Sequence, residues 1–352
     1  MSANNVDAII VRRWFDRHIH VREGEMLKQV LPFTLRQKTI GAVIMPNLKN
    51  PITTIKKAQA YRKTILNLLP PNSDFAPCMT LYLTDQTDPE EVVRGFQEGF
   101  WQAVKLYMAN QKGEGGTTGS HSGVRNLLGR YKVFAAMEKA GIPLLGHFEA
   151  VEDDVDEFDR EIVSLDRDLI PLLKAFPKLP IVFEHITDGR VADFVAEAIH
   201  NLYATVTAHH LMINRNAMFS GGMNPVNYCK PVPKRESHRL RVREHVTSGN
   251  TRFGAGTDSA PHDIEAKSRC CGCAAGIFTA PIAVELYTQV FAEDNALQHL
   301  GPFLSENFLH LYGVPVSEEM MVIRRENHVV PDMVSSIPVF MGGKTLQWKF
   351  VV

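Results

Sequence analysis

The sequence predicts an α/β protein folded as a closed (β/α)8 barrel, and three observations carry this prediction. Short apolar runs alternate with longer amphipathic stretches, which is the order of parallel strands joined by crossover helices. Eight apolar runs can be counted, and this number favours a closed TIM barrel over an open doubly wound sheet. No GxGxxG follows the first run and no GxxxxGKS or GxxxxGKT occurs, so nucleotide-binding folds are disfavoured.

The apolar runs define the predicted strands. The first run, 8–11, is rich in β-branched residues, and His18 and His20 come shortly after it. The later runs have the same composition and are bounded by turn and helix-ending residues. The eight predicted strands cover 8–11, 40–45, 75–83, 103–107, 142–147, 180–185, 204–207 and 252–255.

Capping and stop signals predict helices between these strands. Thr53 and Thr54 open one helix, and Asp88 followed by Pro89 is a good start for the next. Gly141 ends a further helix at the position that favours a left-handed residue. The predicted helices cover 53–69, 88–100, 124–140, 155–176, 191–199, 280–292 and 297–311.

The composition indicates one large folded unit and argues against several kinds of partner. With 352 residues, 45% of them hydrophobic, the chain can bury a large core, and a single barrel domain over 1–352 accounts for this length. The net charge of -1 gives no sign of nucleic-acid binding or of a basic membrane patch. No apolar run reaches the ~18–20 residues that span a bilayer.

The cysteines and the N-terminal segment favour a cytoplasmic protein. Five cysteines are an odd number, and the cluster of Cys270, Cys271 and Cys273 is unlike a disulfide framework. We interpret this cluster as free thiols; a structural zinc site shared with one histidine is the alternative. The first ten residues lack the charged and apolar regions of a signal peptide.

Polar side chains fall where the predicted strands end. His18 and His20 are two residues apart, so on a strand they point to one face and can hold one metal ion. A lone histidine or aspartate has a structural explanation as a buried imidazole or a turn cap. The joint placement argues against that explanation, because such barrels carry their active sites at the C-terminal ends of the strands. The residues in question are His18, His20, Asn47, Lys105, His147, His185 and Asp258.

Eight short segments, spread from the first predicted strand to beyond the last, carry a resemblance to a known family. They include HIHVREG at 18–24, VKLY at 104–107 and GTDSAPH at 256–262. Through these segments the sequence resembles dihydroorotases of the class II type, which are members of the amidohydrolase superfamily. The other matching segments are 45–48, 51–54, 183–187, 210–212 and 271–274.

The resemblance implies a binuclear zinc centre, with two Zn²⁺ per subunit bridged by a carboxylated lysine. An ammonium group cannot coordinate a cation, but a buried lysine that loses its proton can capture carbon dioxide and become an anionic carbamate. The implied ligands are His18, His20 and Asp258 for one ion, His147 and His185 for the other, and Lys105, as N6-carboxylysine, for both.

The activity that the resemblance implies is the reversible cyclisation of N-carbamoyl-L-aspartate to L-dihydroorotate and water. This is the third step of de novo pyrimidine (UMP) biosynthesis. In the hydrolytic direction, a hydroxide that bridges the two zinc ions would be the nucleophile. Asp258 would accept its proton and deliver it to the leaving ring nitrogen, as general base and then general acid.

The same resemblance implies contacts to a small-molecule substrate around the metal centre. Arg22 supplies a planar cation suited to the carboxylate that does not react. The glycine-rich loop 110–121 corresponds to a flexible loop that reaches the substrate. Lys230 stands where relatives often have leucine, and it would add a positive charge beside an anionic substrate. The implied substrate-binding residues are Arg22, Asn47, Thr117, Thr118, Lys230, His262 and Ala274.

Two other functions stay open at the level of sequence. A dihydropyrimidinase or hydantoinase would share the metal centre, but its substrates lack the carboxylate that Arg22, Asn47 and His262 would bind. A catalytically inactive dihydroorotase-like assembly partner would be expected to have lost metal ligands, and all six are present. We interpret His209 and His210 as structural, since the six ligands are already assigned. Relatives of this type are often homodimers, and a homodimer is expected here.

Overall fold

Among the residues that the computed structural model describes, 6–110, 112, 121–199 and 201–351, eight parallel strands form one sheet. Each strand pairs with the next along the chain. The sheet closes beyond its last strand, where the N–H of His20 donates to the carbonyl of Ser259 over 3.1 Å. The N–H of Asp258 likewise donates to the carbonyl of His18 over 2.8 Å. This barrel confirms the predicted fold class.

The barrel strands are short and almost fully buried, as expected for parallel strands that are covered by helices. The strands are β1 (Ala8–Arg12), β2 (Phe15–Ile19), β3 (Gly41–Ile44), β4 (Ala76–Tyr82), β5 (Ala103–Tyr107), β6 (Leu144–His147), β7 (Ile181–Phe183), β8 (Leu202–Val206), β9 (Phe253–Ala255), β10 (Met320–Val329), β11 (Met333–Val334), β12 (Ile337–Pro338) and β13 (Thr345–Val351), of which β2 to β9 form the barrel.

The helices differ from the predicted ones mainly at their ends. The helix predicted over 155–176 begins at Arg160 and contains a π-helical turn, Leu165–Leu169. None of the described helices is both long and apolar enough to cross a membrane. The helices are α1 (Gly24–Arg36), α2 (Ile55–Leu66), α3 (Pro89–Gln97), α4 (Tyr131–Ala140), α5 (Arg160–Ser164), α6 (Ile170–Ala175), α7 (Gly189–Ala196), α8 (Ala208–Met212), α9 (Glu236–Thr247), α10 (Ile264–Lys267), α11 (Ala283–Glu293) and α12 (Leu300–Ser305).

The first predicted strand, 8–11, forms but does not belong to the barrel, so that assignment was wrong. β1 pairs antiparallel with β10, which in turn pairs with β13 in a separate three-stranded sheet. The first barrel strand is β2, whose sequence FDRHI is polar yet fully buried. Its polar side chains can be buried because they form hydrogen bonds with residues far along the chain. Arg17, for example, donates to the carbonyls of Leu304 and Asn307 over 3.0 Å each.

Helices α1, α8, α9 and α10 and all described strands after β9 were not predicted from the sequence. Helix α9 has the mostly polar sequence ESHRLRVREHVT, so its apolar face is hard to recognise. Helix α1 contains Pro32, a residue that normally argues against a helix interior. Strand β13 alternates between exposed and buried side chains, and this period of two was a usable signal for a half-buried strand.

The interior of the barrel places polar side chains above an apolar layer. Lys105, His147 and Glu184 lie two residues beyond members of that layer, and side chains with this spacing share a face of their strand. The polar groups therefore meet at the C-terminal end of the barrel. The apolar layer consists of Phe15, Val43, Cys78, Ala103, Leu145 and Val182, packed with Phe308 and Tyr312.

Candidate metal centre

Four imidazole rings meet at the C-terminal end of the barrel. The centroid of the His18 ring lies 5.3 Å from that of His20 and 5.0 Å from that of His185. The His147 ring continues the row, with its centroid 4.6 Å from that of His185. The structure thus brings together the four histidines that the sequence analysis placed at strand ends.

Asp258 joins His18 and His20 in a compact group of possible metal ligands. Oδ1 of Asp258 lies 3.0 Å from Nε2 of His20 and 3.3 Å from Nε2 of His18. Burial raises the pKa of Asp258, but the adjacent imidazoles outweigh burial and hold this pKa well below its ordinary value. Two imidazole nitrogens beside an ionised carboxylate are a donor set that suits Zn²⁺.

The backbone at three of the site residues lies in the left-handed region. The φ angle is 42° at His185, 43° at Asp258 and 60° at Arg22. Residues with a β-carbon avoid this region, and each such conformation costs on the order of 1–3 kcal/mol. Strain of this kind concentrates at functional sites, where the surrounding structure holds a side chain in one required direction.

Lys105 is a buried amine without a hydrogen-bond partner among the described residues. Its Nζ lies 3.9 Å from Oε2 of Glu184, too far for a hydrogen bond, and 5.1 Å from the centroid of the Tyr107 ring. Burial lowers the pKa of Lys105 to about 7. A large fraction of this amine is therefore neutral near pH 7 and has a lone pair available for chemistry.

Two buried glutamates that the sequence analysis did not single out orient the imidazoles. Nε2 of His147 donates to Oε2 of Glu149 over 2.6 Å, which leaves Nδ1 facing His185. Nδ1 of His18 donates to Oε2 of Glu184 and leaves Nε2 for the cluster. A carboxylate behind a metal-binding imidazole fixes its tautomer and raises its basicity. Their closeness to the candidate ligands in the sequence could have pointed to these glutamates, since each lies within two residues of a candidate ligand.

The imidazoles of the cluster are held neutral. Burial lowers the pKa of His18 to about 3, and it also lowers the pKa values of His20, His147 and His185. Burial raises the pKa of Glu149, but the hydrogen bond from His147 and nearby lysines outweigh burial and lower it to about 2. A neutral imidazole that donates its N–H to a carboxylate presents the lone pair of its other nitrogen to a metal ion.

Asp16 joins the two ends of the barrel sheet beneath this cluster. Its Oδ1 accepts from the N–H of His18 over 3.1 Å and from the N–H of Thr257 over 2.9 Å. Its Oδ2 accepts from the hydroxyl of Thr257 over 2.6 Å. Asp16 therefore fixes the backbone at one ligand, His18, and immediately before another, Asp258.

The cluster fits a pair of zinc ions on the chemistry of its own atoms. Nζ of Lys105 and Nδ1 of His185 are buried and have no hydrogen-bond partner within the described part of the chain. Unpartnered buried polar groups are rare and require an explanation. Bound cations together with a carboxylated Lys105 would explain these two, and the neutral imidazoles and ionised Asp258 are the ligand forms that zinc requires.

The four histidines and Asp258 line a cavity together with Arg22, and His262 contacts Arg22 without lining that cavity. Nη2 of Arg22 lies 2.9 Å from Nε2 of His262, and Nε of Arg22 donates to the carbonyl of Pro261 over 3.1 Å. The carbonyl of Arg22 accepts a hydrogen bond from the Tyr61 hydroxyl over 2.6 Å. The guanidinium is thus held in one direction although Arg22 lies outside a strand.

Of the other predicted substrate contacts, some line the cavity and others do not. Asn47 and Lys230 line the cavity together with the histidines and Arg22. Ala274 is not among the lining residues, which on this side are Ala275 and Gly276. Thr117 and Thr118 lie outside the described residues.

A second buried group of possible metal ligands lies beside the first. His209, His210 and Cys229 have ligand atoms within 4.8 Å of one another. Both ring nitrogens of His210 are already engaged, Nδ1 with the Thr207 hydroxyl over 2.7 Å and Nε2 with the carbonyl of Pro231 over 2.9 Å. These contacts support the structural interpretation of His210, whereas both ring nitrogens of His209 are buried and have no hydrogen-bond partner among the described residues. The predicted thiol cluster is also present as free cysteines, with Cys270 and Cys271 exposed and Cys273 partly buried.

The barrel and the cluster of four histidines, one lysine and one aspartate define the class of protein: a hydrolase of the amidohydrolase superfamily. No family model matches the chain. It is 48% identical to a dihydroorotase of Synechococcus sp. (strain CC9902), over 95% of each chain. It is 46% identical to a dihydroorotase of Sphingopyxis alaskensis, over 98% of this chain and 99% of that protein. The chain therefore belongs to the dihydroorotase family, which confirms the resemblance.

A solved structure supports the same assignment. The crystal structure of Saccharomyces cerevisiae dihydroorotase in complex with 5-fluoroorotic acid matches this fold with a TM-score of 0.89 at 31% identity. The match covers 98% of this chain and 99% of that one. Both the barrel and the segments outside it therefore have counterparts in a known dihydroorotase.

Proposed function

We propose that this chain is a dihydroorotase, which interconverts N-carbamoyl-L-aspartate and L-dihydroorotate in the third step of pyrimidine (UMP) biosynthesis. The observation that carries the proposal is the position of Arg22. Its side chain lines the cavity that His20 and Asp258 also line, so a fixed cation lies beside the cluster. Such an arrangement suits a substrate in which an unreactive carboxylate is close to the amide that reacts.

The proposal includes two Zn²⁺ ions held by the clustered side chains. Bound zinc would lower the pKa of a water molecule and polarise the amide carbonyl. Lys105 would supply a ligand to both ions after its neutral amine adds to carbon dioxide and releases a proton to solvent, which leaves an anionic carbamate. Glu149 and Glu184 hold the imidazoles of His147 and His18 in the orientation that coordination needs.

Asp258 is proposed as the residue that moves the proton. Its pKa lies well below the ordinary value, so it is ionised at neutral pH and can accept a proton from the attacking water. It then delivers this proton to the ring nitrogen as the C–N bond breaks. In the direction of cyclisation, Asp258 takes the proton from the ureido nitrogen as that nitrogen attacks the carboxyl carbon. It then returns the proton to the carboxyl oxygen that leaves as hydroxide when the C–O bond breaks.

Arg22, Asn47 and His262 are proposed to bind the carboxylate that does not react. The guanidinium supplies charge and a planar pair of donors, which matches the shape of a carboxylate. Lys230, whose Nζ donates to Oε1 of Glu157, adds a second positively charged group to the same cavity wall. Thr117 and Thr118 remain proposed substrate contacts from the loop 110–121, and Ala274 remains a proposed backbone contact.

The alternative of a dihydropyrimidinase or hydantoinase activity is disfavoured by the position of Arg22. Substrates of those enzymes carry no carboxylate beside the reacting ring, so the partly buried Arg22 would have no substrate carboxylate to bind. The alternative of an inactive assembly partner is disfavoured by the complete set of candidate ligands.

We further propose that the chain forms one domain over 1–352 and acts as a cytoplasmic homodimer. The free state of all five cysteines suits a reducing compartment.

Replacement of Arg22 tests the proposed function directly. The wild-type chain, loaded with zinc, is expected to consume dihydroorotate and to leave dihydrouracil unchanged, as followed by ultraviolet absorbance. Arg22→Met is expected to lose about 100-fold or more in kcat/KM, because a charge-assisted carboxylate contact is removed.

Arg94→Met provides the matched control, since Arg94 is exposed on α3 and away from the cavity. Its kcat/KM should stay within about two-fold of the wild-type value. Turnover of dihydrouracil by the wild-type chain would move the assignment to a dihydropyrimidinase. No turnover of either compound in the presence of zinc would favour an assembly role.

A further inference from the structure

Tyr107 carries a hydroxyl group that the proposed function leaves unexplained. Its side chain is 2% exposed, and its Oη has no hydrogen-bond partner among the described residues. Tyr107 lines the same cavity as His147, Arg22 and Asp258. A residue with an unpartnered hydroxyl therefore lines the candidate active site.

The ring of Tyr107 is held between two other rings and cannot easily turn away. Its centroid lies 5.2 Å from that of Tyr82, with an angle of 28° between the planes. On the other side, its centroid lies 6.0 Å from that of His147, with an angle of 32°. Rings at these separations pack favourably and restrict each other. The direction of the hydroxyl is therefore set by packing.

Tyr107 lines the cavity together with the groups that would meet both ends of the proposed substrate. A phenol with its ordinary pKa of ~10 is a neutral donor at neutral pH. Arg22 marks the end that would bind the carboxylate, and Asp258 marks the end where the amide would react.

A buried hydroxyl without a partner destabilises the folded protein, whereas phenylalanine would fill the same space at no such cost. A binding site gives a physical reason to keep the hydroxyl, because a ligand can supply the missing acceptor. Oxygen atoms are the acceptors that dihydroorotate and N-carbamoyl-L-aspartate offer at both of their ends.

We propose that the Tyr107 hydroxyl donates a hydrogen bond to an oxygen atom of the bound substrate, a contact that rests on the proposed function of this cavity. Tyr107 is then a substrate-contacting residue in addition to those inferred from the sequence. Its position in β5, two residues after Lys105, places it on the same strand face as that candidate ligand. The strand thus orients both groups together.

Tyr107→Phe tests this proposal, with stability and activity measured on the same preparations. Without ligand, the melting temperature of the variant should equal or exceed that of the wild-type protein, because no hydrogen bond to the described residues is lost. With zinc and dihydroorotate, kcat/KM should fall about 10- to 100-fold. The increase in melting temperature caused by saturating orotate should be smaller for the variant than for the wild-type protein.

Tyr82→Phe is the matched control, because Tyr82 packs against Tyr107 but does not line the cavity. Its kcat/KM should remain within about two-fold of the wild-type value. If wild-type protein is active and Tyr107→Phe keeps both kcat and KM within two-fold, the Tyr107 contact is overturned while the dihydroorotase assignment stands. If wild-type protein does not turn over dihydroorotate, the proposed function fails, and the Tyr107 contact fails with it.

Discussion

The histidines of the candidate metal centre depend on carboxylates behind them. Glu149 and Glu184 are both fully buried, and each accepts an N–H from a ligand imidazole. A buried carboxylate costs free energy unless it is well partnered, so these positions are expensive to maintain. Their cost is explained if they hold His147 and His18 in the tautomer that coordinates zinc.

Glu149→Gln is predicted to weaken zinc binding by about 10- to 100-fold, because the neutral amide no longer increases the basicity of His147. The measurement is competition for zinc with a coloured chelator at fixed pH. Glu265→Gln is the control, since Glu265 is exposed on α10. Equal zinc affinity of Glu149→Gln and wild-type protein would contradict the role given to Glu149.

At the scale of elements, the ends of the helices follow local rules that the sequence already displays. The hydroxyl of Thr54 accepts from the N–H of Lys57 at the start of α2. The carboxylate of Asp88 accepts from the N–H of Glu90 at the start of α3. Helix α4 ends at Gly141, where φ is 70°. These predicted caps are confirmed because capping depends only on residues a few positions apart.

Gly141→Ala is predicted to lower the free energy of unfolding by about 1 kcal/mol, because alanine is strained at positive φ. Gly301→Ala is the matched control inside α12, where an added Cβ would meet nothing closer than 3.6 Å. That control should be neutral or slightly stabilising, since alanine favours the helix. Urea denaturation followed by circular dichroism gives both values, and an equal effect of the two substitutions would contradict the argument.

At the scale of the whole molecule, the C-terminal segment is tied to the barrel through a buried acid on α11. Oε1 of Glu285 accepts from the N–H of Phe350 in β13 over 3.3 Å and lies 3.5 Å from Nε2 of Gln37 after α1. Its Oε2 has no partner among the described residues. Burial raises the pKa of Glu285 to about 7.

The stability of the protein should depend on pH through Glu285. The folded-state pKa of about 7 lies above the ordinary value of 4.5, so the folded state keeps this proton up to a higher pH than the unfolded state does. The stabilising effect of the proton is complete below pH ~4.5 and is lost as the pH rises through about 7.

Glu285→Gln is therefore predicted to be more stable than the wild-type protein by about 1–3 kcal/mol at pH 8, with a smaller difference at pH 5. Denaturant unfolding at the two pH values measures this difference. Glu197→Gln, at an exposed position after α7, should show no such dependence. A difference that is the same at both pH values would contradict the shifted pKa of Glu285.

Much of the fold and of the candidate site could be predicted from local patterns. Apolar runs and capping residues report which segments are buried and where helices begin, and both depend on neighbours in the chain. The motif residues His18, Lys105, His147 and Asp258 follow from the same ordering, because strand ends of a barrel meet on one face. This ordering predicted the fold class and the place where the polar side chains meet, whereas the family and the candidate ligands came from the eight segments that resemble dihydroorotases.

Contacts between distant segments were decided only by the tertiary structure. The apolar pattern of 8–11 shows that this segment is strand-like, but not that its partner is β10 rather than β3. The polar sequence of the first barrel strand, β2, suggests an exposed segment. Only the structure shows the distant carbonyls that accept hydrogen bonds from Arg17 and allow it to be buried. The unpartnered hydroxyl of Tyr107 likewise became visible only when its surroundings were known. Periodicity encodes burial, whereas the identity of each buried partner depends on how the whole chain packs.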